Sequence, residues 1–263
     1  HDTTAPDSIH GTNELNPVIP CVPRPHNNKS IMIAHQNIQG LGKNLKKLDS
    51  IMKEQAEVHN IAITLFQETK LAGYMETVVD KHMFFLFGQE NTERRAGVGI
   101  MLSPDAIEAW KHAGSPNPKK SICANTGRIL GIELHFLDDY DHLLKIFVIS
   151  AHLPHTGYDD DDYDACLEEL THMIDSCAND VIPMIGADLN ACIGTQNDHH
   201  IQNIKSYIGN CGEAPRNDKS ADRGKTIIQQ LLIQHQMFAA STFFLKQSYS
   251  THENRWIDEF LSK

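Results

Sequence analysis

The chain has 263 residues, 40% of them hydrophobic and 22% charged, and a formal net charge of −11. That much apolar material supports one large core or two modest ones. The acidic balance argues against a sequence-independent nucleic-acid coat, whose affinity comes from Lys and Arg. Cys21, Cys123, Cys166, Cys177, Cys192 and Cys211 form no CxxC pair, which argues against a disulfide scaffold and for a reducing compartment. No apolar stretch reaches the length of a membrane span, and no signal-peptide pattern opens the chain.

Residues 1 to about 30 are rich in Pro, Asn, Thr and His without an apolar period, and read as a tail or linker. An opening on His1 rather than Met reads as that of an excised or processed piece. Order is expected from Ile31, with a strand through Asn37 that ends in the turn Gly40-Leu41-Gly42. Asn44 is placed to cap a helix running to about His59, with Leu45, Leu48, Ile51 and Met52 on its apolar face. Ile61 to Thr69 is a strand ending in Glu68. A short helix is expected around Tyr74 to Val79, then strands at Phe84–Phe87 and Ala96–Leu102. Arg128–Phe136 and Leu143–Ser150 alternate as an antiparallel pair across a polar turn, the second running into His152.

Asp159 to Asp162, with Asp164, reads as a solvated loop leading into the N-terminus of a helix over Tyr163–Cys177, where negative charge is favourable. Val181 to Ala187 is a short apolar strand that stops at Asp188 and Asn190. With a side-chain period of two, these residues can point the same way. A long polar loop is expected to about Asp222, then a helix over Gly224–Met237, a strand over Phe238–Phe244 and another starting in Trp256–Leu261. Irregular alternation with hairpin-like pairs implies one domain of sheet packed on sheet, helices outside.

Six polar residues sit at or within strand ends in this reading: Asn37, Glu68, His152, Asp188, Asn190 and Asp258. For Asn37, Asp188 and Asn190, ordinary turn residues are the competing interpretation. Lys70 reads as a surface or neighbouring cation, Trp110 as packing and Cys192 as a small side chain rather than a nucleophile.

The segments carrying these residues resemble the endonuclease/exonuclease/phosphatase family, and within it the endonuclease domains of non-LTR retrotransposons and the craniofacial-development-protein-2-like proteins. Asn37-Ile38-Gln39-Gly40-Leu41 matches NxxGL, Gln67-Glu68-Thr69-Lys70 matches QETK, and Asp188-Leu189-Asn190-Ala191 is similar to DFNA. Arg223-Gly224, Thr242-Phe243-Phe244 and Ile257-Asp258 resemble later family segments. The resemblance implies an α/β fold, a four-layered αββα sandwich of two mixed sheets over residues 31–263. It also implies a divalent-metal-dependent phosphodiesterase with Mg²⁺ or Mn²⁺ as cofactor. Glu68 would bind the metal with Asn37 beside it, and Asp188 would orient or deprotonate the attacking water. Asn190, His152 and Asn37 would contact the phosphate, and Asp258 would orient a histidine. Hard divalent ions prefer such oxygen donors.

The chain ends at Lys263, before the SDH motif that supplies that histidine in the family. The expectation is therefore a domain without its C-terminal strand, either a fragment or a decayed copy. The implied substrate is DNA, nicked by an intracellular, nuclear enzyme of retroelement type with a reverse transcriptase downstream and no membrane partner. The alternatives are a phosphatase or phosphodiesterase for a small phosphoester, and a non-catalytic binding module.

Overall fold

The computed structural model describes residues 31–41, 46–53, 60–89, 96–121, 127–137, 142–212, 215, 217–243 and 260–262. The elements in order are β1 (Ile33–Asn37), α1 (Lys46–Met52), β2 (Ile63–Gln67), β3 (Gly73–Val79), β4 (His82–Gly88), β5 (Val98–Leu102) and α2 (Pro104–His112). They continue with β6 (Lys119–Lys120), β7 (Ile129–Leu137), β8 (Leu143–His152), α3 (Asp160–Asp175), β9 (Val181–Asp188), α4 (Asp218–Ile227), β10 (Phe238–Ala239) and β11 (Phe260–Ser262).

Two sheets form, in the orders β1-β2-β5-β4-β3 and β10-β11-β9-β8-β7-β6. Each is mixed: β1 and β2 are parallel across the α1 crossover, β8 and β9 are parallel across α3, and the other pairings are antiparallel. The sheets stack on a central core of Ile63, Leu65, Phe85, Val98 and Ile100 against Leu130, Ile132, Leu134, Ile146 and Val148. Helix α1 covers the outside of the first sheet through Leu48, Ile51 and Met52 on Phe66, Phe84 and Met101. Helix α3 covers the second through Tyr163, Leu167 and Leu170, packed with Phe147, Ile149 and Ile185. The layers are thus helix, sheet, sheet, helix, as the sequence implies.

Several elements depart from expectation. Tyr74–Val79 is an edge strand, not a helix: it pairs with β4 through a hairpin whose Asp80 turns at φ 47°, and Thr77-Val78-Val79 is β-branched, which suits a pleated surface. Helix α2 was not anticipated, although its start carries the usual signals. Ser103 accepts from the Ala106 N–H at 3.4 Å, Pro104 stands in the first turn and Asp105 follows. Its Trp110 packs edge-to-face on Phe85 at 5.3 Å, in the packing role expected of it.

The acidic run is the first turn of α3 itself, which begins at Asp160 rather than Tyr163. The polar loop after Gly194 holds two 3₁₀ turns, Gln196–Asp198 and Ile204–Ser206. Helix α4 starts at Asp218, capped by Asn217, whose side chain accepts from the Ser220 N–H at 2.8 Å, and it continues as a π-helical segment over Ile228–Ile233. The strand expected over Phe238–Phe244 gives way to a 3₁₀ turn at Ala240–Phe243. Asn44, residues 54–59, Cys21, Cys123, Phe244, Trp256 and Asp258 lie outside the described residues. No helix among the described residues is long and apolar enough to cross a membrane.

Candidate active site

The interior face of the sandwich changes from apolar to polar along four strands, two from each sheet. On β1 it reads Ile33, His35, Asn37; on β2, Ile63, Leu65, Gln67; on β8, Ile146, Val148, Ser150, His152; on β9, Met184, Gly186, Asp188. The period of two that buries the first residues of each strand carries the last ones to the rim between the sheets. Gln67 and Ser150 fasten that rim. The Gln67 Nε2 donates to Gly186 O at 3.0 Å and Ser150 Oγ at 3.2 Å, and Ser150 Oγ donates to Phe66 O at 2.7 Å. This buried polar strut joins the two sheets one residue before Glu68 and two before His152 and Asp188.

Glu68 leaves the β2 alternation through a left-handed residue, φ 54°, and so turns into the rim. There the Asn37 Nδ2 donates to Glu68 Oε1 at 2.9 Å and to Asp188 Oδ2 at 3.2 Å. The Asn37 Oδ1 accepts the Gln39 N–H at 3.1 Å, which fixes which end of the amide faces the carboxylates. Lys70 reaches Glu68 Oε2 at 3.2 Å. The His152 Nε2 lies 4.0 Å from Asp188 Oδ2, and one ligand atom each from Glu68, His152 and Asp188 falls within a 4.8 Å cluster.

Burial works to raise the Glu68 carboxyl, but hydrogen bonds from Asn37 and Lys70 and the positive charges nearby prevail, so it titrates below its ordinary range. Burial, then the Arg128 guanidinium, push the His152 imidazole down to about 3, Glu68 opposing them. His152 is therefore neutral at pH 7, and its Nδ1 is buried without a hydrogen-bond partner.

The loops around this rim are held by side chains. Asn190, at φ 48°, donates from Nδ2 to Leu153 O at 2.8 Å, and its N–H meets Asp188 Oδ1 at 3.2 Å. Arg128 donates to His152 O at 3.0 Å and Arg223 to Pro154 O at 2.8 Å. Arg223 is itself buried over the Tyr163 ring, with Asp160 at 3.2 Å. Gly224 lets α4 lie on the loop after β9: a Cβ there would sit 1.9 Å from Cys192 O.

The strand order and layers can be compared with known proteins. No protein-family model and no curated protein sequence matches the chain. Among solved structures, the AP endonuclease LMAP from Leishmania major superposes with a TM-score of 0.53 at 15% identity, covering 87% of this chain and 78% of that one. The chain has the endonuclease/exonuclease/phosphatase fold. The Xenopus laevis APE2 catalytic domain gives 0.49 at 13% identity over 88% and 82%, and the human Nocturnin catalytic domain 0.46 at 10% over 86% and 79%.

In this endonuclease/exonuclease/phosphatase fold, five of the six residues picked out in the sequence meet at one rim. Asn37, Glu68, His152 and Asp188 face one another, and Asn190 braces the adjoining loop. Asp258 lies outside the described residues. Asn37 stands between the carboxylates as a donor rather than offering its oxygen to a cation. Sequence reasoning missed Ser150 and Arg128, and it quoted Gln67 and Arg223 within family segments without giving either a task. Inward parity within otherwise apolar strands was the available signal for Gln67 and Ser150; for the arginines there was none.

The donor set suits a hard divalent cation. Two carboxylates drawn together on one amide N–H, with a neutral imidazole beside them, gather the negative charge and donor atoms that such an ion binds. Mg²⁺ is commonly held by one or two carboxylates, with water and substrate oxygens completing its shell.

Proposed function

We propose that this chain is a divalent-metal-dependent phosphodiesterase that nicks DNA. The observation carrying this reading is the convergence of Glu68, Asp188 and His152, from both sheets, on one rim. Glu68 and Asp188 would hold Mg²⁺ or Mn²⁺, and the ion, when bound, would neutralise charge on the scissile phosphate. Asp188, fixed by Asn37 and the Asn190 N–H, would accept a proton from the attacking water. The neutral His152 offers one ring N–H and Asn190 a second amide N–H for phosphate oxygens.

Support for DNA as substrate comes from the fold shared with an AP endonuclease and from the NxxGL, QETK and DxNA segments. Their resemblance to retroelement endonucleases also supports a nuclear protein with a reverse transcriptase downstream in a longer parent. The net charge of −11 favours a second reading, hydrolysis of a small phosphoester, because a polyanionic duplex is attracted by cations.

Supercoiled plasmid separates the two. The chain is expected to nick it with Mg²⁺ or Mn²⁺ and not in EDTA, with Glu68→Gln and Asp188→Asn about a hundredfold slower. Turnover of a nucleotide or phosphoinositide without nicking would favour the small substrate. A folded chain inert on all of these would refute the proposal.

A further inference from the structure

The loop that follows β8, His152 to Tyr158, is pinned at both ends, yet it presents two rings to solvent. Its carbonyls are taken one after another: His152 O by Arg128, Leu153 O by Asn190, Pro154 O by Arg223, and Tyr158 O by the Lys219 Nζ at 2.9 Å. The Leu153 N–H donates to Asp188 O at 2.9 Å, and the Tyr158 N–H to His155 O at 3.0 Å. Four side chains from three other parts of the chain thus hold the carbonyls of four of the loop's seven residues beside the catalytic rim.

On this fixed backbone, His155 and Tyr158 meet edge to face, ring centroids 4.6 Å apart, with the Arg128 guanidinium 5.1 Å from the Tyr158 centroid. His155 is exposed and Tyr158 partly so. The His155 Nδ1 accepts the Gly157 N–H at 3.0 Å, which orients the ring. Gly157 leaves room for it: a Cβ there would lie 2.7 Å from His155 Cε1. Rings held in one orientation without being buried contribute little to the core; such an arrangement suits a planar ligand.

We infer that His155, braced by Tyr158, is a stacking platform for a nucleobase of the strand whose phosphate lies at the Glu68–Asp188 rim. The inference rests on the phosphodiesterase reading and adds a base-recognition surface to it. Base–aromatic stacking is tolerant of sequence, because every base has a π-face. A platform of this kind therefore gives affinity for a strand without specifying it. It also supplies an attraction that does not depend on positive charge, which an acidic protein needs.

Binding in EDTA, where no cleavage occurs, tests the platform by fluorescence anisotropy. The probes are a labelled thymidylate decamer and the same backbone with every base replaced by hydrogen. The wild-type chain is expected to prefer the decamer with bases. His155→Ala should weaken that complex about tenfold, within the range of one lost stacking contact, and His155→Phe should restore it. Gly157→Ala, which keeps both rings in the chain but pushes His155 out of its present orientation, should weaken it as well. Binding of the base-free strand should be unchanged in every variant, and matching melting temperatures should show that the fold is intact. Equal affinity of wild type and His155→Ala for the decamer would overturn the inference, as would an equal loss on the base-free strand. Plasmid nicking judges the underlying reading separately. Nicking without base preference removes only the platform, whereas base preference without nicking removes only the chemistry.

Discussion

Replacing Gln67 with methionine removes the polar strut between the sheets while nearly conserving side-chain volume. Two well-formed hydrogen bonds are lost, to Gly186 O at 3.0 Å and Ser150 Oγ at 3.2 Å; the third, to Leu65 O at 3.4 Å, is weak. Each good bond contributes about 1 kcal/mol net, and an acceptor left buried without its donor costs about as much again. Part of that loss is offset, because the Gln67 Oε1 is itself buried without a partner and methionine removes it. The balance is a destabilisation of about 2 kcal/mol. For a domain of this size that lowers Tm by roughly 4–8 °C.

The functional effect should be larger than the stability effect suggests. The strut immediately precedes Glu68, His152 and Asp188, and small misplacements of reacting groups are costly. A fall of at least about tenfold in kcat is expected at temperatures where the variant is fully folded. Thermal melts followed by circular dichroism, with nicking rates measured well below Tm, check both parts. A Tm within about 1 °C of wild type together with an unchanged rate would refute the argument that the strut sets the spacing of the rim.

Further outcomes follow from the same geometry. His152 is depressed from an ordinary 6.5 to about 3 in the folded protein, so below pH 6.5 the unfolded chain binds the extra proton. Its neutral burial contributes stability that is full above 6.5 and is lost as pH falls toward 3. His152→Gln should therefore show a shallower decline in urea midpoint over that window in EDTA; parallel curves would contradict the assignment. Gly224→Ala should destabilise by about 1–3 kcal/mol through its clash with Cys192 O, although Gly to Ala inside a helix ordinarily stabilises. A raised Tm would show that α4 does not press on that loop. Asn190→Ala loses the bond to Leu153 O and leaves alanine at φ 48°, so both Tm and nicking should fall. An unchanged nicking rate would exclude Asn190 from the site.

The residues of the rim were legible because each lies at or just past the end of a strand that begins apolar, where the sequence turns polar. Asn37, Glu68, His152 and Asp188 all announce themselves in this way. Gln67 did not, because it opens the polar stretch Gln67-Glu68-Thr69-Lys70, nor did Ser150, a lone polar residue between Ile149 and Ala151; each finds its partner on the other sheet, 83 positions away in the chain. Arg128 and Arg223 act on carbonyls of a loop that only the folded chain brings to them. Tyr74–Val79 was misread because a short edge strand half in solvent has a weak alternation. Helix α2 and the start of α4 were overlooked although Ser103-Pro104-Asp105 and Asn217-Asp218 carry helix-start chemistry. The family resemblance supplied the order of motifs, and the packing supplied what fastens them.

The central claim is that Glu68 and Asp188 form one divalent-cation site at the rim between the sheets. Calorimetric titration of the metal-free chain with Mn²⁺, beside Glu68→Gln, tests it without requiring a substrate. The account predicts a single site whose affinity falls at least about tenfold in the variant while its Tm without metal stays close to wild type. Absence of binding by the folded chain, or equal binding by the variant, would contradict it.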